Sequence, residues 1–208
     1  MADSQRSTPS GDRMVYGARR RPMRFVLNER KAAQAAATLL KAHCRPMSKA
    51  VLVKLLYLAD RRSLKETGHP ITGDCAVSMP YGPVLSTILD AINDKPVNVS
   101  FRAAWSDFVS PATGRKVGLK KTAAEIDELS RFDLRVLAEV YAEFGRRSLK
   151  ALVDYTHDLP EWQDPEGSSR RIDPAVILRS EGWDEEAIDA ASAEEEASIW
   201  FDRALARA

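Results

Sequence analysis

The stretch from Ser48 to Gly68 constrains this chain most. It holds no interior glycine or proline, and Leu52, Leu55, Leu56 and Ala59 recur at the three–four spacing of a buried helical stripe. Lys49, Lys54, Asp60, Arg61 and Arg62 read as the polar positions between them. The spacing therefore predicts a helix opened by Ser48, running through Thr67 and terminated by Gly68. Directly after it the periodicity breaks. Ile71-Thr72-Gly73-Asp74 reads as a turn, Cys75–Met79 as a short strand, and Pro80-Tyr81-Gly82-Pro83 as a second turn.

The flanks are mostly helical. Asn28 is a natural N-cap for an Ala-rich helix over 28–43 that Arg45-Pro46 ends. Pro83 suits the first position of a helix to about Asn93, where its fixed φ is already helical. Trp105–Val109 and Lys116–Lys120 read as a hairpin joined by Ser110–Gly114. Ser130 and Asp133 have capping-box spacing for a helix to Gly145, with Leu134, Leu137, Val140, Tyr141 and Phe144 as its apolar face. Ser148 opens a short helix, Leu149 to His157, and a loop follows over 158–171. Asp173-Pro174 opens another helix. A last helix over about 184–206 carries acidic residues early and Arg203 and Arg207 late, which suits the helix macrodipole. The fold class expected is mainly α, a helical domain with a small antiparallel β-hairpin or short sheet.

The whole chain is near neutral, with 31 Lys+Arg against 30 Asp+Glu in 208 residues. That balance argues against a nucleic-acid coat protein, while 44% hydrophobic and 29% charged content argues against wholesale disorder. A basic arm over 1–22, with Arg6, Arg13, Arg19, Arg20 and Arg21, breaks the neutrality. It reads as a solvated terminus or as an arm that touches phosphates or an acidic partner. Cys44 and Cys75 form no CxxC pair, which excludes a disulfide framework and a zinc ribbon and suits a reduced, cytoplasmic setting. The longest uncharged stretch, Cys75 to Leu89, is too short and too broken by Pro80, Gly82 and Pro83 for a membrane span.

Catalytic patterns are missing from the sequence. His43, His69 and His157 stand alone, with no HxxxH or HExxH, and no GxxxxGK[ST], GxGxxG or GxSxG occurs. On a helix, His43 and Cys44 point about 100° apart and cannot face one metal. No enzyme activity, cofactor or metal is expected. Basic residues Arg115, Lys116, Lys120 and Lys121 could contact phosphates or simply guard a strand edge. Tyr81, Trp105, Trp162, Trp183 and Trp200 are candidate anchors for a binding surface, with core packing as the alternative for each. Tyr81 stands apart, since burying the whole Pro-Tyr-Gly-Pro turn would strand its backbone groups.

Three segments together carry a resemblance: Lys54-Leu55-Leu56-Tyr57-Leu58-Ala59-Asp60, Gly68-His69-Pro70-Ile71-Thr72-Gly73-Asp74 and Tyr81-Gly82-Pro83-Val84. With Thr156-His157-Asp158-Leu159-Pro160-Glu161-Trp162, they make the chain resemble the Panacea domain of SocA-like antitoxins over about residues 28–165. The resemblance implies a mostly helical bacterial domain that neutralises a toxin encoded beside it, and in some members an adaptor that hands the toxin to a ClpXP-type protease. Asp60, Arg61, Thr72, Asp74, Tyr81, Gly82, Pro83, His157 and Trp162 are the partner-binding candidates on this reading. Beside the resemblance, Gly73 and Gly82 supply backbone angles closed to other residues, Asp60 ties the helix to the turn, and Tyr57 packs beneath it with its hydroxyl satisfied. The organisation expected is a basic arm over 1–22, a Panacea-like domain over 23–170 and a C-terminal helical extension over 171–208. The alternative function is a DNA-binding regulator that uses Arg19, Arg20 and Arg21.

Overall fold

Helix α2 (Lys49–Thr67) forms the axis around which the other elements pack. Every residue from Val51 to Asp60 is buried, so this helix is covered on all sides rather than along one stripe. The computed structural model describes residues 22–120 and 125–205. Helices α1 (Glu29–His43), α5 (Arg131–Phe144), α6 (Leu149–His157) and α7 (Pro174–Ser180) all lie against α2. Lys54 and Asp60 are therefore enclosed, at 2% and 5% exposure, and are not the solvated positions their charge implied.

Local chemistry sets most element ends as the sequence implies. Asn28 accepts from Lys31 N–H to cap α1, and Gly68 closes α2 at φ +78°. Ser130 and Asp133 cap one another's backbone at the start of α5, and Ser148 accepts from Ala151 N–H at the start of α6. Strand β2 (Ala76–Ser78) is the centre of a three-stranded antiparallel sheet, between β3 (Val84–Leu85) and β5 (Arg170–Arg171). A second pair joins β1 (Met47–Ser48) to β4 (Lys116–Val117). The chain beyond the sheet stays in the same core. Ile172 N–H donates to Ala76 O at 2.9 Å, α7 buries Ala175, Ile177 and Leu178, and α8 (Glu185–Leu205) packs on α7.

Three local expectations are corrected. Pro83 does not open a helix: Val84 and Leu85 first pair with Val77 and Ala76, and α3 (Ser86–Ile92) starts only when Ser86 N–H meets Cys75 O. Trp105–Phe108 is helical, the end of α4 (Val99–Phe108), because Asn98 caps it and Phe101, Trp105 and Phe108 form a helical face against α1. The aromatic content had mimicked a strand. What remains of the hairpin is the bridge between Val109 and Leu119 and the closing bridge between Thr113 and Lys116. On α5, Leu134 is 39% exposed and Val136 takes its place in the core.

Candidate partner-binding surface

Two buried carboxylates hold the segment between α2 and β3 from beneath. Asp60 accepts from Thr72 N–H at 2.9 Å and from Thr72 Oγ1 at 2.5 Å, fixing the first turn to the helix. Burial pushes its carboxyl up to about 7, against which the Thr72 hydrogen bonds act in the opposite sense. Asp74 accepts from Cys75 N–H at 2.7 Å and from Ile88 N–H at 2.9 Å, tying the turn to α3. At Gly73, φ is +72° and a Cβ would strike the carbonyl of Val26, so the extended chain before α1 lies directly on the turn. Asp60, Thr72 and Asp74 are thus committed to bonds within the turn and from it to α3.

The second turn rests on a buried lysine. Lys54 Nζ donates to Pro83 O at 3.4 Å and to Thr156 Oγ1 at 3.1 Å, with no carboxylate paired to it among the described residues. Burial lowers its pKa to about 8. Gly82 sits on this group with φ +88°, and its missing side chain is what allows the approach. Trp162 donates its Nε1 hydrogen to Met79 O at 3.1 Å and stacks on His157, ring centroids 4.0 Å apart and 17° from parallel. His157 Nε2 is buried and has no hydrogen-bond partner among the described residues.

Arg61 belongs to a separate brace. Tyr57 OH donates to Glu161 Oε1 at 2.5 Å, Arg61 Nε donates to the same oxygen at 2.7 Å, and Arg61 Nη1 reaches Glu181 Oε1 at 2.6 Å. Burial would lower the Arg61 pKa, but Glu161 and Glu181 outweigh it and hold the guanidinium above its ordinary value. Burial and the Glu161 carboxylate together keep the Tyr57 phenol well above 10. The brace joins α2 to the segment that carries Trp162.

These contacts leave one large side chain outside. Tyr81 is 78% exposed at the tip of the turn, while Gly82 and Pro83 are buried behind it. Beside Tyr81 opens an apolar groove of about 320 Å³, walled by Val53, Met79, Pro80, Val84, Leu149 and Val153. The Lys54 stem forms part of its floor. Of the nine candidate residues, Tyr81, Gly82, Pro83, His157 and Trp162 come together at this turn. Asp60, Thr72 and Asp74 belong to the first turn instead, and Arg61 sits in the brace. Arg19, Arg20 and Arg21 fall outside the described residues.

Sequence reasoning missed Lys54, Thr156 and Glu161 as parts of the support. Lys54 had a signal, since Val51, Lys54, Leu55 and Leu58 share the three–four spacing of the core stripe. The groove wall from α6 had none, because Leu149 and Val153 meet Val84 only through the tertiary fold.

The same segments decide the family. Residues 52–163 match the protein family described as antitoxin SocA-like, Panacea domain. The chain belongs to this family. The matched range begins inside α2 and ends just past Trp162, so it takes in both turns and the Lys54, Asp60, Thr156 and Glu161 supports, while the chain at Val26–Asn28 and Glu181 lie outside it. No curated protein and no solved structure matches the chain. In this Panacea-domain protein, no group of three or more His, Cys, Asp or Glu among the described residues could hold a metal ion. No described helix is long and apolar enough to cross a membrane.

Proposed function

We propose that this chain is the antitoxin of a bacterial toxin–antitoxin pair and neutralises its toxin by direct protein–protein contact in the cytoplasm. Membership of the SocA-like family supports the class, and the pose of Tyr81 carries the mechanism. An aromatic ring 78% exposed, on a turn pinned at Met79 O and Pro83 O, is a rigid anchor beside an apolar groove. A toxin side chain entering the groove would cover Tyr81, Pro80 and Leu149 at once. Gly82 and Pro83 serve this surface by shaping it, while Asp60, Thr72 and Asp74 fix the preceding turn to α2 and α3.

Co-expression with the protein encoded beside it tests the reading. The neighbour should be harmful alone, harmless together, and should co-purify with this chain. Tyr81→Ala should weaken the complex by about 30-fold, the scale of a hot-spot residue, with thermal unfolding unchanged. A harmless neighbour, or two proteins that never co-purify, overturns it. The finer mechanism is delivery of the toxin to a ClpXP-type protease, with the terminal segments as tethers. Deleting residues 1–22 should then spare toxin binding and abolish toxin turnover.

A further inference from the structure

A second opening adjoins the apolar groove. It is a cavity of about 730 Å³ at the junction of α1, α2 and α5, and its lining includes His43, Arg45, Ser48, Lys116, Arg146 and Arg147. No carboxylate lines it. Arg45, Lys116 and Arg146 are exposed and form no ion pair with any described residue. Arg147 is held in place, its guanidinium 4.7 Å from the Phe144 ring centre and 5.7 Å from that of Tyr155. His43 bonds Tyr141 OH through Nδ1 at 3.0 Å, and burial, then Arg45, lowers its pKa.

Part of this charge answers helix ends. α1 and α5 finish at the cavity, and each C-terminus is worth about half a negative charge. α2 starts there with Ser48 as an N-cap whose side chain makes no capping bond, which adds about half a positive charge. Four full cations, Arg45, Lys116, Arg146 and Arg147, exceed these terms and leave an excess of about three and a half positive charges. Such a concavity favours an anion, and its place in the fold says which kind. Ser48 and Val51 line the cavity from one face of the start of α2, Ala50 and Val53 line the groove from another, and the short link from Arg147, on the cavity, to Leu149, on the groove wall, joins the two openings. One bound segment can therefore fill both.

We propose that the cavity receives an Asp- or Glu-rich segment of the protein partner whose apolar side chain occupies the neighbouring groove. This rests on the antitoxin reading for the identity of the partner. The uncharged groove favours a polypeptide over a nucleic acid, because a polynucleotide lying across both openings would carry phosphates over an apolar wall.

The test uses the full chain with the protein encoded beside it. Arg45→Glu/Arg146→Glu should fold as the parent does, both positions being exposed and unpaired, and should weaken the complex at least tenfold. In parallel, N-acetyl-hexaglutamate and a single-stranded DNA hexamer are titrated at low salt, with the His43 and Tyr141 NMR signals as readout. The peptide should shift both signals in the parent but not in the double variant, and the DNA should not displace it. A complex as tight in the double variant as in the parent, or DNA that binds more tightly than the peptide, overturns the proposal. If the parent fails to hold its neighbour while the peptide still binds in an Arg45- and Arg146-dependent way, the antitoxin reading falls and the acidic preference of the cavity stands.

Discussion

Gly82→Ala isolates what holds the exposed turn. A Cβ at Gly82 would stand 2.5 Å from Thr156 Oγ1 and 2.7 Å from Lys54 Nζ. Thr156 is fully buried and its hydroxyl donates to Leu152 O at 2.8 Å, so it moves only by giving up that bond; Lys54 is enclosed and can retreat only by giving up its own. The left-handed backbone costs an L-residue about 1–2 kcal/mol, and separating a buried ammonium from its hydroxyl adds about 1–3 kcal/mol. The expected loss is therefore about 3–4 kcal/mol, a fall of about 2 M in the urea midpoint. Gly114 and Gly167 are the controls, with φ of +60° and +85° and nothing within 4 Å of an added Cβ. Their alanine variants should lose only about 1 kcal/mol each. Lys54→Met shortens the side chain by one atom and vacates the Nζ position, so Gly82→Ala should cost about 1–2 kcal/mol less in that background. Three glycine variants that unfold within about 0.5 kcal/mol of one another would refute the close-approach argument.

Two further outcomes follow from the supports. Lys54 has a folded pKa of about 8 against 10.5 when unfolded, so the unfolded chain binds the extra proton between these values and stability rises with pH across that window. The gain approaches about 3 kcal/mol above pH 10.5, read as the difference between parent and Lys54→Met in urea melts at pH 7 to 10.5. Glu161→Gln removes the charge shared by Tyr57 and Arg61. It should cost about 2 kcal/mol in the same melts, under the roughly 3–5 kcal/mol of a fully orphaned buried charge, because Arg61 keeps Glu181.

The legible part of the fold is the part written in local chemistry. Asn28, Ser130, Ser148 and Pro174 start helices where their side chains or fixed φ demand it, and Gly68 and Gly73 take the backbone angles that only glycine adopts cheaply. The misread parts depend on partners distant in sequence. The 105–108 segment has strand-like composition, yet its burial against α1 makes it a helix. Pro83 has a helical φ, yet pairing of Val84 with Val77 takes precedence because Val77 also pairs with β5. The charge of Lys54 reads as solvated although its spacing lies on the core stripe, and it is the closure of α6 over α2 that encloses it. Tyr81 was legible for a negative reason: the turn it sits on had nowhere to bury its amides.

That negative reason also bears on how the surface would bind the partner proposed above. Ordering a free loop costs about 1–2 kcal/mol per residue, so the four residues Pro80–Pro83 would cost a partner about 4–8 kcal/mol to fix on contact. Here folding has already fixed them, through Gly82 N–H to Met79 O, Trp162 to Met79 O and Lys54 to Pro83 O. On the antitoxin reading proposed above, a partner would meet the anchor in its bound pose and lose none of its contact energy to ordering it. The groove and the cavity rim can then vary without disturbing the supports, because Leu149, Arg45 and Arg146 make none of these bonds. One buried framework can thus carry different partner preferences, decided at exposed positions on α6 and at the ends of α1 and α5.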